Sequence, residues 1–304
     1  MTAAQTPTTY PGARAPDRTR RVDAFGVEIA VVEWGDAEAP PVLFAHGGFD
    51  FARTFDVFAP LVADAGWRVV AWDQRGHGDS EHAALYSWES DLRDAAMVLD
   101  STTTDAVPVV GHSKGGAMML RLANTWPHRI SRVVNLDGVP SGNRMPDLAE
   151  TERTRMLDEE LTGWLDHRRR VAGRQRRPGT ISELGERRGL MNPRLDAAWL
   201  EYLVTVGARR DPDGWRWKID PQLRFGGFGP WRPEWSLRSI ATMACPLLAV
   251  LAGQEELLGW GTLPEDVEPY AQPGTRFEML DDAGHFVHIE QPARVAALVL
   301  EFLA

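Results

Sequence analysis

The chain of 304 residues holds one cysteine, Cys245, so no disulfide can form within it and its stability must come from a packed core. Cys245 stands before Pro246 at the head of an apolar run and reads as a small buried hydrophobe. Positive charge is also short. The 33 Lys and Arg against 43 Asp and Glu leave a net charge of −10, which argues against a nucleic-acid partner and for repulsion from anionic membrane surfaces. No apolar run approaches the length of a membrane span. Residues 1–20, rich in Thr, Pro, Ala and Arg, lack the apolar stretch of a secretory signal and read as a flexible tail. Arg20-Arg21 is followed by Asp23 rather than by an apolar run, so it is no twin-arginine signal. No internal repeat is visible. These absences lead to the expectation of a cytoplasmic protein, a monomer or homodimer, with no nucleic-acid or membrane partner.

What is present is a globular composition, 43% hydrophobic and 25% charged. Short apolar segments such as Val42–Ala45, Trp67–Trp72, Ala106–Val110 and Ser131–Leu136 alternate with stretches of helical period such as Ser87–Leu99. Strand alternating with helix predicts an α/β fold, a mostly parallel sheet with helices on both faces. The rhythm stops after residue 139 and resumes at Pro246–Ala252, Arg276–Leu280 and a last helix, Pro292–Leu303. Residues 21–139 and 240–304 therefore read as one core, and residues 140–239 as an inserted, mainly helical cap. The first half of the cap is charged, with six arginines between Arg168 and Arg177, a run that usually marks a solvated helix face. Its second half is rich in aromatics, including Trp215, Trp217 and Trp231, most of which a cap needs for its own core.

The strongest local pattern is Gly111-His112-Ser113-Lys114-Gly115-Gly116, between a predicted strand and a predicted helix. Gly-x-Ser-x-Gly in that position describes a sharp turn that lifts a serine hydroxyl out of a sheet beside unpaired helical N–H groups. Such a serine needs a base, an acid that orients the base, and an oxyanion hole. Downstream, Asp281-Asp282-Ala283-Gly284-His285-Phe286-Val287-His288 offers His285 as the base, with His288 competing. The two histidines have a loosely metal-like spacing, but no third ligand is evident, so no metal site is expected.

Four pieces in order make the chain resemble the α/β-hydrolase superfamily: His46-Gly47-Gly48, Asp73-x-Arg75-Gly76-His77-Gly78-x-Ser80, Gly111-x-Ser113-x-Gly115 and Ala283-Gly284-His285-Phe286. The resemblance implies Ser113 as nucleophile, His285 as base, and an oxyanion hole of the Lys114 and Gly48 backbone N–H groups, with Phe49 second to Gly48. His46 and His77 are expected to be structural, Asp73 and Arg75 to fix their loop, and the Lys114 side chain to reach solvent, in preference to touching substrate. Two acids satisfy the chain order. Glu256 fills the family's commoner position after the penultimate strand and is preferred; Asp137, ending the strand before the cap, is the other. The activity implied is cleavage of an ester or lactone of a small, largely apolar substrate through an acyl-enzyme, without a cofactor. Phe49, Trp215 and Trp231 are expected against the substrate. A carbon–carbon bond hydrolase or perhydrolase with the same residues, or a non-catalytic small-ligand-binding module, remains open. Epoxide hydrolases and haloalkane dehalogenases, which use Asp at the position of Ser113, are disfavoured.

Overall fold

The computed structural model describes residues 9–140, 150–224 and 233–304. The chain starts with an antiparallel pair, β1 (Arg18–Asp23) and β2 (Glu28–Trp34), turning at Gly26. Strands β3 (Pro41–Ala45), β4 (Arg68–Trp72), β5 (Val107–His112) and β6 (Ile130–Leu136) follow, buried along most of their length. They run as near-continuous apolar segments because helices cover both faces of the sheet. Between them lie α1 (Phe58–Ala63), α2 (Trp88–Thr102) and α3 (Lys114–Thr125). Ser87 starts α2 with a reciprocal capping box to Ser90, satisfying an otherwise orphaned N–H at its first turn.

Next come α4 (Glu150–Val171), α5 (Ile181–Gly189) and α6 (Ala197–Gly207), the hairpin β7 (Ala208–Asp211) and β8 (Gly214–Trp217), and α7 (Pro233–Ala241). The chain then re-enters the sheet through β9 (Leu247–Ala252), passes the short α8 (Pro264–Val267), forms β10 (Arg276–Leu280) and ends with α9 (Val287–Glu290) and α10 (Pro292–Leu303). The eight-stranded sheet has the order β1-β2-β4-β3-β5-β6-β9-β10 and is parallel from β4 to β10. Two apolar clusters, one per face, sandwich it. α2 and α3 contribute Leu99, Met118 and Leu122 to one; α1 and α10 contribute Phe58, Val299 and Phe302 to the other.

Two sequence-based boundaries change. Residues 9–17 are not a loose tail: Tyr10 packs edge-on against Trp199 of α6 at 4.9 Å, and Arg14 pairs with Asp64 at 2.8 Å. The expected end of the insertion at residue 239 cuts through α7. Its Leu237 and Ile240 pack in the core cluster of the sheet, against α3, so this helix is laid down on the core face before β9 begins. Cys245 is half-buried against the same cluster, close to its expected role. Among the described residues no helix is long and apolar enough to cross a membrane.

Candidate functional site

Strands β5 and β6 are parallel neighbours with His112 opposite Leu136, so the residues that follow them, Ser113 and Asp137, emerge side by side at the same end of the sheet. Ser113 sits between β5 and α3 with φ +53° and ψ −121°, a conformation L-residues rarely adopt. The turn is that sharp because β5 and α3 are pressed together. A Cβ on Gly115 would lie 2.2 Å from the Ala45 carbonyl oxygen, and one on Gly111 2.4 Å from that of Gly115. Only glycine fits at either place.

The Ser113 hydroxyl lies 2.9 Å from Nε2 of His285, and Nδ1 of His285 lies 2.6 Å from Oδ2 of Asp137. A carboxylate only accepts, so Nδ1 carries the ring proton and Nε2 offers its lone pair to the Ser113 O–H. Of the two acids the sequence offers, Asp137 rather than the preferred Glu256 is the one against this ring. Glu256 Oε2 instead accepts the backbone N–H of His285 at 2.6 Å. Burial, ahead of the opposing hydrogen bond from His285, raises the Glu256 pKa. Asp137 has φ +46°, which turns its side chain back over the sheet, and its Oδ1 accepts the Ala252 N–H of β9 at 3.1 Å. The His285 loop is held on its other side by His112, whose Nε2–H donates to the His285 carbonyl at 2.9 Å.

The glycine loop after β3 lies across the start of α3, with a Gly48 Cβ position 3.8 Å from Cδ of Lys114. Phe49, at φ +57°, spends its N–H on Nε2 of His77 at 3.2 Å, which removes it as an oxyanion donor and leaves Gly48 as the stronger candidate on this loop. His77 Nδ1–H donates in turn to the Arg75 carbonyl at 2.9 Å. His46 behaves alike: Nδ1–H donates to Gly47 O at 2.7 Å, and Nε2 accepts the Gln74 N–H at 2.9 Å. Burial pushes the His46 pKa down to about 3 and that of His77 well below its usual value. Both rings are neutral struts of the loop. Asp73 accepts the N–H groups of Ala52 and Asp79, both at 2.7 Å, and Arg75 grips Asp94 through two bonds of 2.6 and 2.7 Å.

Lys114 does not reach solvent. Its ammonium is buried, 2.6 Å from Asp91 Oδ2 and 2.7 Å from Gln74 Oε1, so the charge is neutralised beneath the glycine loop. His288 is fully buried among Phe55, Phe58 and His112, and neither ring nitrogen has a hydrogen-bond partner among the described residues. The ring on Ser113 and Asp137 is that of His285. Phe49 is partly buried beside Tyr86, Ile219 and Trp217, where core and insertion meet. Trp215, expected against the substrate, packs instead in the insertion's own small core with Leu184, Val204 and Ala208. Trp231 lies outside the described residues.

Comparison with known proteins agrees with this architecture. Residues 42–298 match the alpha/beta hydrolase family. Esterase Rv0045c of Mycobacterium tuberculosis is 28% identical over 278 residues, covering 89% of this chain and 85% of that protein. Epoxide hydrolase A of the same organism is 27% identical, covering 93% and 96%. Among solved structures, the thioesterase domain from the curacin biosynthetic pathway superposes with a TM-score of 0.79 at 23% identity, covering 93% of this chain and 99% of that one. With a family match that spans the parallel strands and the residues after β3, β5 and β10, the chain belongs to the alpha/beta hydrolase family.

Proposed function

We propose that this chain is a serine hydrolase that cleaves a carboxylic ester or lactone through an acyl-enzyme. The observation that carries the reading is the unbroken run from Asp137 through the His285 ring to the Ser113 hydroxyl, at 2.6 and 2.9 Å. Ser113 Oγ attacks the substrate carbonyl as its proton passes to His285 Nε2. Asp137 steadies the imidazolium that forms and holds the ring in the reactive tautomer. The oxyanion that develops is met by the backbone N–H groups of Lys114, at the open N-terminus of α3, and of Gly48, a geometry in which each donor is worth ~3 kcal/mol. His285 returns its proton to the leaving alcohol, then activates water to release the acid. A serine at this position, where an epoxide hydrolase would carry an aspartate, favours acyl transfer over epoxide opening. The likeness to an esterase over most of both chains points the same way.

The test is a fluorophosphonate probe read by peptide mass spectrometry, with an ester and lactone panel alongside. Label on Ser113 that Ser113→Ala abolishes, together with turnover, supports the proposal; a folded protein that binds such esters without label or turnover sinks it. The assignment of the acid has its own test. Asp137→Asn leaves the ring in the wrong tautomer and is expected to lower kcat by roughly 10³–10⁴-fold. Glu256→Gln keeps an acceptor for the His285 N–H and is expected to stay within about 10-fold of wild type. The reverse ranking would return the role to Glu256.

A further inference from the structure

The paired helices α5 and α6 hold both loops that carry the reacting groups. Arg188, in the last turn of α5, reaches the glycine loop, where Nη1 donates to the Phe49 carbonyl at 3.2 Å and Nη2 to Asp50 Oδ1 at 3.0 Å. That pair is buried, with side-chain exposures of 10% and 1%. Six residues on, in the turn before α6, Arg194 reaches the histidine loop. Its Nε donates to Glu290 Oε2 and its Nη2 to the Asp282 carbonyl, both at 2.8 Å. Glu290 itself accepts the backbone N–H of Gly284, the residue before His285, at 3.0 Å. The Arg194 stem lies against Gly284 so closely that a Cβ there would be 2.6 Å from Arg194 Cδ. Apolar contacts repeat the pattern: Trp199 and Leu203 of α6 share one cluster with Phe51, which follows the glycine loop, and Phe286, which follows His285.

A single hairpin thus touches the loop of Gly48 and the loop of His285 by the same two means, an arginine and an apolar face. Arginine suits the task because its planar fork bonds a carboxylate and a carbonyl at once and keeps its charge when buried. We propose that Arg188 and Arg194 are positioning residues that set the distance between the oxyanion donor and the catalytic imidazole, so that the α5–α6 hairpin is a working part of the catalytic apparatus. The inference rests on the serine-hydrolase reading above. Neither arginine touches the Ser113 hydroxyl or the His285 ring, so each acts by holding backbone. A misplacement of the order of 1 Å at a reacting group costs about 100-fold in rate.

The experiment measures kcat and KM on p-nitrophenyl butyrate, fluorophosphonate labelling, and amide hydrogen exchange over residues 47–50 and 283–286. The variants are Arg188→Met, Arg194→Met and their Lys counterparts. Because Arg188→Met strands the buried Asp50 charge, Asp50→Asn/Arg188→Met is made alongside, removing both charges at once. Positioning predicts that the Met variants and the paired variant lose about 10- to 100-fold in kcat with KM little changed. Exchange should quicken in residues 47–50 for Arg188 and in residues 283–286 for Arg194, and lysine should recover part of the loss. Folded variants with wild-type kcat, or losses confined to KM or to the fraction folded, overturn it. Wild-type protein that neither labels nor turns over would overturn the serine-hydrolase reading instead, and the two failures are told apart by that control.

Discussion

Phe49, Ser113 and Asp137 are three of the four non-glycine residues with positive φ among the described residues, and all three border the same site. A positive φ costs an L-residue roughly 1–2 kcal/mol, and the surrounding packing holds it in place. Replacing Ser113 with glycine, which adopts this conformation freely, is therefore expected to raise the stability of the fold by about 1 kcal/mol while turnover falls to background. Urea unfolding of Ser113→Gly checks it, and an unchanged or lower midpoint counts against stored strain. At this scale the sequence was legible where a residue type admits one use. Gly111, Gly115 and Ser113 could be placed because a tight strand-to-helix turn needs them. The acid could not, because Asp137 and Glu256 carry the same charge and both follow a sheet strand ahead of His285. What separates them is the path of the backbone, which turns Asp137 toward the ring and leaves Glu256 against the main-chain N–H. Lys114 was misread for a related reason. Its partners Gln74 and Asp91 come from segments that only the fold brings beneath α3.

Among the elements, those carrying their own period and stop signals were readable to within a residue or two. Helix α10 starts at Pro292, which fits a first helical turn, and buries Val295, Val299 and Phe302 on one face. β9 and β10 are unbroken apolar or alternating runs between turn residues. Elements whose order depends on a distant partner were not readable. The segment before β1 is polar and proline-containing, yet Tyr10 is pinned to α6 by Trp199 and by a 3.3 Å hydrogen bond to Asp196. Tyr10→Ala is expected to cost about 1–2 kcal/mol and to speed amide exchange in α6 while leaving β5 protected. Equal protection of α6 in mutant and wild type would show the strap to be idle.

Across the whole molecule, buried histidines set the response to acid. Burial holds His46 and His288 down at about 3, and His77 and His112 well below the usual 6.5. Unfolded, these rings take up protons as the pH drops below about 6.5. The folded protein refuses those protons, so the stability they contribute is complete above that pH and is lost as pH falls toward 3. Asp56 and Asp73, pushed up to about 6 by burial, work in the opposite sense with Asp50, Asp94 and Glu256, which burial also raises, since the fold gains protons on them before the unfolded chain does. The histidines begin to separate the two states below about 6.5, at higher pH than these carboxyls do, so the melting temperature is expected to fall between pH 7 and pH 5. His288→Phe, which removes a ring with no hydrogen bond to lose, should flatten that slope at little cost at pH 7. Thermal melts across the range decide it, and a melting temperature that holds or rises on acidification would refute the account.

The sheet is closed late: β9 and β10 pair onto β6 only after the whole insertion has been spanned, and His285 follows Ser113 by 172 positions. A ribosome-bound chain can therefore have β5, β6, Ser113 and Asp137 in register while lacking the group that would activate the serine. Contacts of such long range also form slowly. On the serine-hydrolase proposal such a chain lacks its base, and one released after Leu280 should remain unlabelled by fluorophosphonate where the full-length protein reacts.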